Sequence, residues 1–235
     1  MKRIVLLKLS GEALAKTDGF GLDMEKVNNV AKEIKNLKDT GVSLGIVVGA
    51  GNIWRGRDAD TIGMERITAD HMGMLGTIFN SIALNSALEK EGLKSHVMSA
   101  IPMGDVVRPF NYQMAKKDLE HGDIIIFAGG TGHPYFSTDT TAALRALEIG
   151  ADTILMAKNG TDGVYDCDPR KNPCAKRFCK ITYDEILKNH LGVMDLTAAT
   201  LCNDNNIQIV VFDMGVSGNI KKVINNPEIG TIITK

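Results

Sequence analysis

DIIIFAGGTGHPYFSTDTTAALRALEIG, residues 123–150, holds a strand, a loop and a helix in one piece. Its opening run is apolar without a polar break, which suits a strand covered on both faces. Glycines at 129, 130 and 132 interrupt the run. Ser137 or Thr138 can then cap a helix that carries Asp139 in its first turn. A buried strand followed by a capped helix is the repeating unit of a parallel sheet, and similar units recur along the chain.

Upstream, RIVLLKL (3–9) reads as a strand, and Asp23 caps a helix with Met24, Val27, Val30, Ala31, Ile34 and Leu37 at helical spacing, stopped by Gly41. SLGIVV (43–48) is the second strand. A long helical region follows the next glycine loop, with Met72, Leu75, Phe79, Ile82 and Ala83 on one face and an end at Gly92. KSHVMSA (94–100) is a strand, and a helix is expected over about 111–121. Downstream come TILMAK (153–158), a loop-rich segment to about 181, two helical segments, QIVVFD (208–213), a last helix and TIITK (231–235). The expected architecture is α/β: a three-layer αβα sandwich with a mostly parallel central sheet, one domain over 1–235.

Apolar residues make up 44% of the 235 and aromatics only 5%, a balance of layered α/β folds more than of β-sandwiches. The 27 basic residues nearly cancel the 28 acidic ones, so no global field attracts nucleic acid or an anionic membrane. Any anion has to be held by local charges. MKRIVLLKL places two positive residues before an apolar run, but Lys8 breaks that run short of the ~7–15 residues of a signal sequence. No window approaches the ~18 apolar residues of a transmembrane helix. The expectation is a cytoplasmic protein without nucleic-acid or membrane partners. Cysteines at 167, 174, 179 and 202 suit a reducing compartment, and their spacing misses the C-x2-C knuckle, so they read as ordinary thiols and no metal ligand is assigned.

In parallel sheets, ligands bind beyond the carboxyl ends of the strands. Four such ends carry glycine, hydroxyl or charged loops: KLSG, GAGNIWRG, AGGTGHPYFSTD and AKNGTDGVYDCD. One loop alone is a chain turn, whereas four together point to a polar ligand. No G-x-x-x-x-G-K-[ST] occurs, and G-x-G-x-x-G breaks at Trp54 after Gly49 and Gly51. The small residues at 49–51 instead let backbone N–H groups approach a phosphate, with the forked cation Arg55 nearby. Lys8, Arg55 and Lys158 each stand at or beyond a different strand end, with Asp139 and Asp195 available to orient lysines. Such a set suits phosphoryl transfer, where two anions are brought together while charge shifts between bridging oxygens. Lys8 on its own would read as a solvated strand-end lysine.

Taken in order, KLSGEAL, GAGNIWRG, ADHMGM, AGGTGHPYFSTD and AKNGTDGVYDCDP resemble the bacterial UMP kinases of the amino-acid kinase superfamily, and the resemblance runs from residue 3 to 235. It implies an amino-acid kinase-like fold, transfer of the γ-phosphoryl group of ATP to UMP with Mg2+ carried by the ATP, and a homohexamer. An acceptor (UMP) lobe would span 1–155 and an ATP lobe 156–235. By resemblance ATP falls on Lys8, Leu9, Ser10, Gly11, Gly51, Arg55, Asn159, Tyr165 and Asp168. UMP falls on Ala50, Asp70, Thr131, Gly132, His133, Pro134, Tyr135, Phe136, Ser137 and Thr138, with Asp70 facing the ribose hydroxyls and Thr138 the phosphate. Lys8, Arg55, Asp139 and Asp195 form the implied catalytic set, Asp195 organising the donor-side lysine. The loop Lys16, Thr17, Asp18, Gly19, Phe20, Gly21 lies where many of these enzymes bind activating GTP, and UTP is the implied inhibitor at the acceptor site. Ala50 stands where a third glycine is usual, and His133 and Ser137 also vary the pattern. A methyl group at 50 requires a negative φ and room beside the ligand.

Other readings of the same residues stay open. Asp70 suits a solvated aspartate near a helix start, Asp195 a helix N-terminal carboxylate, and Tyr135 and Phe136 core packing. Asp162-Gly163 suits a hairpin turn. The helix over 72–91 is apolar on more than one side through Ile78, Phe79, Ile82 and Leu84, which suits a subunit contact as well as a core. Alternative functions are a carbamate or carboxylate kinase, whose anionic acceptor Asp70 would repel, and a non-catalytic sensor of UTP or GTP. The broken dinucleotide fingerprint argues against an NAD-type oxidoreductase.

Overall fold

The computed structural model describes residues 2–56 and 62–235. Its strands are β1 (Ile4–Leu9), β2 (Ser43–Val48), β3 (Ser95–Ser99), β4 (Arg108–Pro109), β5 (Ile124–Ala128), β6 (Thr153–Lys158), β7 (Lys180–Thr182), β8 (Gln208–Asp213) and β9 (Thr231–Thr234). The helices are α1 (Met24–Lys38), α2 (Arg66–Lys90), α3 (Tyr112–His121), α4 (Thr138–Ile149), α5 (Tyr183–Lys188), α6 (Leu196–Asp204) and α7 (Asn219–Asn225). One sheet joins all nine strands in the order β4-β3-β5-β2-β1-β6-β8-β9-β7. Neighbours run parallel except at β8 and β9, which are antiparallel.

Strand pleating sorts the core into two layers. Val5, Leu7 and Leu9 of β1 point to the side packed by α1, α2 and α7, among Val27, Ile34, Leu84 and Val223. Leu6 points to the opposite side, among Leu119, Ala146, Ile186 and Ala199 of α3 to α6. The result is the expected three-layer αβα sandwich. The same alternation gives Lys8 the parity of Leu6, and Lys158 that of Ile154 and Met156, so both lysines belong to the layer of α4 and α6.

Local sequence fixes the helix starts. Asp23 accepts the N–H groups of Glu25 and Lys26, and Ser137 accepts those of Asp139 and Thr140. Asn111 caps α3, which ends at Gly122 with φ 94°. Thr182 and Glu185 form a reciprocal capping box on α5. No helix among the described residues is long and apolar enough to cross a membrane.

Two short strands escape the sequence pattern: β4, and β7 inside the segment expected to be loop. The larger departure is the face of α2. Met72, Leu75, Phe79 and Ile82 are exposed, and the buried face carries Gly76, Thr77, Asn80 and Ser81.

Candidate functional site

The four glycine-rich and charged loops follow β5, β2, β1 and β6, which are consecutive and parallel in the sheet, so all four open on one edge. At its centre the Leu9 side chain is buried in the core, and its carbonyl accepts the Gly49 N–H at 2.9 Å. Gly11 is required by close approach: a Cβ there would lie 2.5 Å from Asn52 Oδ1 and 2.6 Å from the Gly49 carbonyl. Asn52 and Asn80, both fully buried, exchange side-chain hydrogen bonds of 2.7 and 3.1 Å, and Asn80 donates to the Gly49 carbonyl at 2.8 Å. Two asparagines thus hold the loop that the sequence marks as a phosphate cradle.

Ala50 is not among the residues with positive φ. Its methyl group turns to α2, where a Cβ on Gly76 would lie 2.9 Å away. The room that the departure from glycine demands is supplied by a glycine on the neighbouring helix.

The cations meet here with separate partners. Lys8 Nζ lies 2.7 Å from Asp139 Oδ1, both side chains largely buried. Lys158 Nζ donates to the Val193 carbonyl at 2.9 Å. Burial, and next the charge of Lys8, hold the Lys158 ammonium below the ordinary lysine range, against the opposing pull of Asp139. Arg55 Nε donates to the Gly51 carbonyl at 3.0 Å, and Nη2 lies 2.8 Å from Glu12 Oε1.

Among the described residues, the bonds to Asp195 come from hydroxyls and a backbone N–H. Asp195 caps α6, accepting the Ala198 N–H at 2.9 Å, and takes the hydroxyls of Thr140, at 3.0 Å, and Ser137. Ser137 in turn caps α4, so one carboxylate ties together the N-termini of two helices and steadies the turn that carries Asp139. The plain reading of Asp195 as a helix N-terminal carboxylate is the one that the geometry matches.

On the other side of the edge, Asp70 in α2 is largely buried. Arg66 Nε lies 2.9 Å from each of its oxygens, and the Tyr135 N–H donates to Oδ2 at 2.7 Å. It is therefore a fixed strut, which corrects the reading as a solvated aspartate. The loop it holds runs through Gly129, Gly130 and Gly132, all with positive φ, to Tyr135 at φ 72°. The Gly129 N–H is received by Thr77 Oγ1 of α2 at 2.9 Å, and the His133 N–H by Thr131 Oγ1 at 3.2 Å. Tyr135 and Phe136 are 66% and 50% exposed, which overturns core packing for both. Thr131, His133 and Phe136 line a cavity of about 690 Å³ against Phe110, Leu144 and Arg145. Pro134 lies between His133 and Tyr135 in the same loop, and Thr138 Oγ1 would be 3.6 Å from a Cβ on Gly49, across from the cradle.

A second cleft of about 630 Å³ opens beyond β1 and β6. Lys8, Ser10, Lys158, Asn159, Tyr165 and Asp168 line it, so six residues singled out from two loops share one space. The Tyr165 hydroxyl donates to Asp162 Oδ1 at 2.6 Å. Asp162-Gly163 is not a hairpin: Gly163 lacks a positive φ, and the antiparallel bridge nearby joins Tyr165 to Arg177, closing a much longer loop. Glycine is needed because a Cβ there would meet Thr231 Oγ1 and come within 2.9 Å of Arg177. The loop of Lys16 to Gly21 is stitched to the cradle, Asn52 donating to the Gly21 carbonyl at 2.8 Å and accepting the Gly21 N–H on its own carbonyl at 2.7 Å. Phe20 at its tip is 65% exposed.

Glu12, Arg66, Thr77, Asn80 and Thr140 were not singled out from the sequence. Thr77, Asn80 and Ser81 are legible as a polar face of α2 at helical spacing, once the apolar stripe is not assumed to face inward. Among the described residues, no three His, Cys, Asp or Glu side chains are grouped as metal ligands. Cys167, Cys174 and Cys179 are exposed thiols, while burial pushes the Cys202 thiol up to about 12.

Residues 3–213 match the amino acid kinase family. Among solved structures, the chain is similar to UMP kinase from Bacillus anthracis, at 37% identity and TM-score 0.96, over 99% of this chain and 96% of that one. It is similar to UMP kinase from Ureaplasma parvum at 40% identity and TM-score 0.95, over 100% of both chains. Uridylate kinase from Archaeoglobus fulgidus is 27% identical with a TM-score of 0.75, over 99% of this chain and 100% of that one.

Proposed function

The chain belongs to the amino acid kinase family, and we propose that it transfers the γ-phosphoryl group of ATP to UMP, giving ADP and UDP. The observation that carries this reading is the convergence of Lys8 and Lys158 on one cleft, with Arg55 and the glycine cradle beside it. The likeness to UMP kinases supports UMP as the acceptor.

In this reading a phosphate oxygen of UMP attacks the γ-phosphorus, the bond to the β,γ-bridging oxygen breaks, and ADP leaves with the electron pair. The attacking oxygen is already ionised, so no general base is needed. Lys8, oriented by Asp139, and Lys158 take up the charge that moves to the donor side, and Arg55 stands between the donor and acceptor phosphates. Leu9, Ser10, Gly11 and Gly51 offer backbone and hydroxyl groups to ATP, and Asn159, Tyr165 and Asp168 receive its base and ribose. Ala50, Asp70 and the loop Thr131, Gly132, His133, Pro134, Tyr135, Phe136, Ser137, Thr138 take UMP, with Asp70 exchanging part of its present bonding for ribose hydroxyls. Asp195 contributes by fixing the start of α4. The acceptor half then lies within 1–155, and the ATP half is completed by 156–235.

Asp139 is engaged by Lys8, and Asp195 by hydroxyls and an N–H, so the residues present fit a cation held by nucleotide phosphates rather than by a protein cluster. The Mg2+ carried by ATP would neutralise its β and γ phosphates. The same reading includes GTP activation through Lys16 to Gly21, UTP competition at the acceptor site, a homohexamer, and residence in the cytoplasm.

ADP formation measured with UMP, CMP, carbamate and acidic amino acids tests the acceptor: UMP should be strongly preferred, and greater turnover with any of the others overturns the proposal. Lys8→Met should lower kcat by roughly 10²-fold with little change in UMP affinity.

A further inference from the structure

The cations at the strand ends differ in how firmly their partners are held. Asp139, opposite Lys8, is largely buried in the first turn of α4. Glu12, opposite Arg55, is 51% exposed and lies in the wall of the cleft that Lys8, Ser10 and Lys158 also line. A carboxylate in that wall repels any phosphate that enters, so its placement calls for a reason. Ser10 caps the short turn Gly11–Leu14 and accepts the Glu12 N–H, which sets the Glu12 side chain beside Gly51, 3.8 Å from where a Cβ would stand. There it meets Arg55, whose Nε is bonded to the Gly51 carbonyl.

We propose that Glu12 is a positioning residue, the counter-ion of Arg55: it holds the guanidinium against the glycine cradle and gives it up to a phosphate oxygen when a nucleotide binds. This rests on the reading of the cleft as an ATP site. A guanidinium presents the same forked N–H donors to a carboxylate and to a phosphate, so the exchange changes partner without moving the cation far. A half-exposed ion pair is weak enough to exchange, whereas the buried pair of Lys8 and Asp139 is not.

Titration calorimetry with ATP and with inorganic tripolyphosphate, on the unaltered protein, Glu12→Gln, Arg55→Gln and the double variant, tests it. Glu12→Gln should bind both probes about two- to fivefold more tightly. Its kcat should fall, because Arg55 is no longer held in place, and both effects should vanish in the Arg55→Gln background. Glu12→Asp keeps the charge and should bind like the unaltered protein, and thermal unfolding checks that each variant is folded. Binding by Glu12→Gln that is no tighter overturns the proposal. So does tightening that persists in full without Arg55, since that is only the loss of a negative charge. Unaltered protein that binds ATP but leaves UMP unphosphorylated overturns the reading of the reaction and leaves the comparison of affinities decisive; protein that binds neither probe overturns both.

Discussion

Ala50 and Gly76 behave as one site divided between a loop and a helix. The methyl of Ala50 fills the space that a side chain at 76 would need, since the two Cβ positions are 2.9 Å apart. Gly76→Ala should therefore cost about 1–3 kcal/mol in urea denaturation, as an overpacked contact does. Ala50→Gly placed in that background should return part of the loss, and strictly additive costs would sink the pairing. At this scale the sequence is informative about residues that stand at strand ends. Lys8 and Lys158 are visible there, and Asp139 at a helix start, because the loops around them are unusual. Partnerships are less visible: Glu12 and Arg55 meet only because β1 and β2 are neighbours in the sheet, which no local pattern records. Asp195 shows the converse, since its place at a helix start is legible but the hydroxyls that claim it arrive from α4.

Helix α2 is easy to find in the sequence and easy to orient wrongly. Hydrophobic periodicity places Met72, Leu75, Phe79 and Ile82 on a common face, and an apolar face is ordinarily the buried one. Here the helix leans against two glycine loops, whose backbone groups need hydrogen-bond partners, so the inner face sets Thr77, Asn80 and Ser81 among the buried Met74, Ile78, Leu84 and Leu88. Asn80 answers the Gly49 carbonyl and Thr77 the Gly129 N–H, which makes α2 the common wall of both loops. Asn80→Leu would strand the Gly49 carbonyl and Asn52 Oδ1 in the interior. Each lost partner costs about 1–3 kcal/mol, so denaturation should show a loss of several kcal/mol. Affinity for ATP should fall with it, because the cradle loses its backing; unchanged stability and affinity together would refute this account of the helix.

Across the whole molecule, the order of layers and the mostly parallel sheet follow from alternating buried strands and capped helices. What escapes is short or set by remote contacts. Strand β4 has two residues and β7 three, too few for any periodicity, and the reversed direction of β9 depends on where the chain returns. The outward stripe on α2 belongs to this scale as well, because four large exposed apolar side chains suit a contact surface. Light scattering should give a mass several times that of one chain, and Phe79→Glu should lower it; a monomer for the unaltered protein would remove the stripe from consideration. The place of β1 in the sheet has a consequence for how the chain is made. Of the nine strands it is made before the others, yet it lies between β2 and β6, and its second neighbour ends at Lys158. Such a distant pairing is slow to form. Lys8 gains Asp139 and the Lys158 side of its cleft only after about 150 further residues have been made, so a nascent chain carries Lys8 long before it can use it.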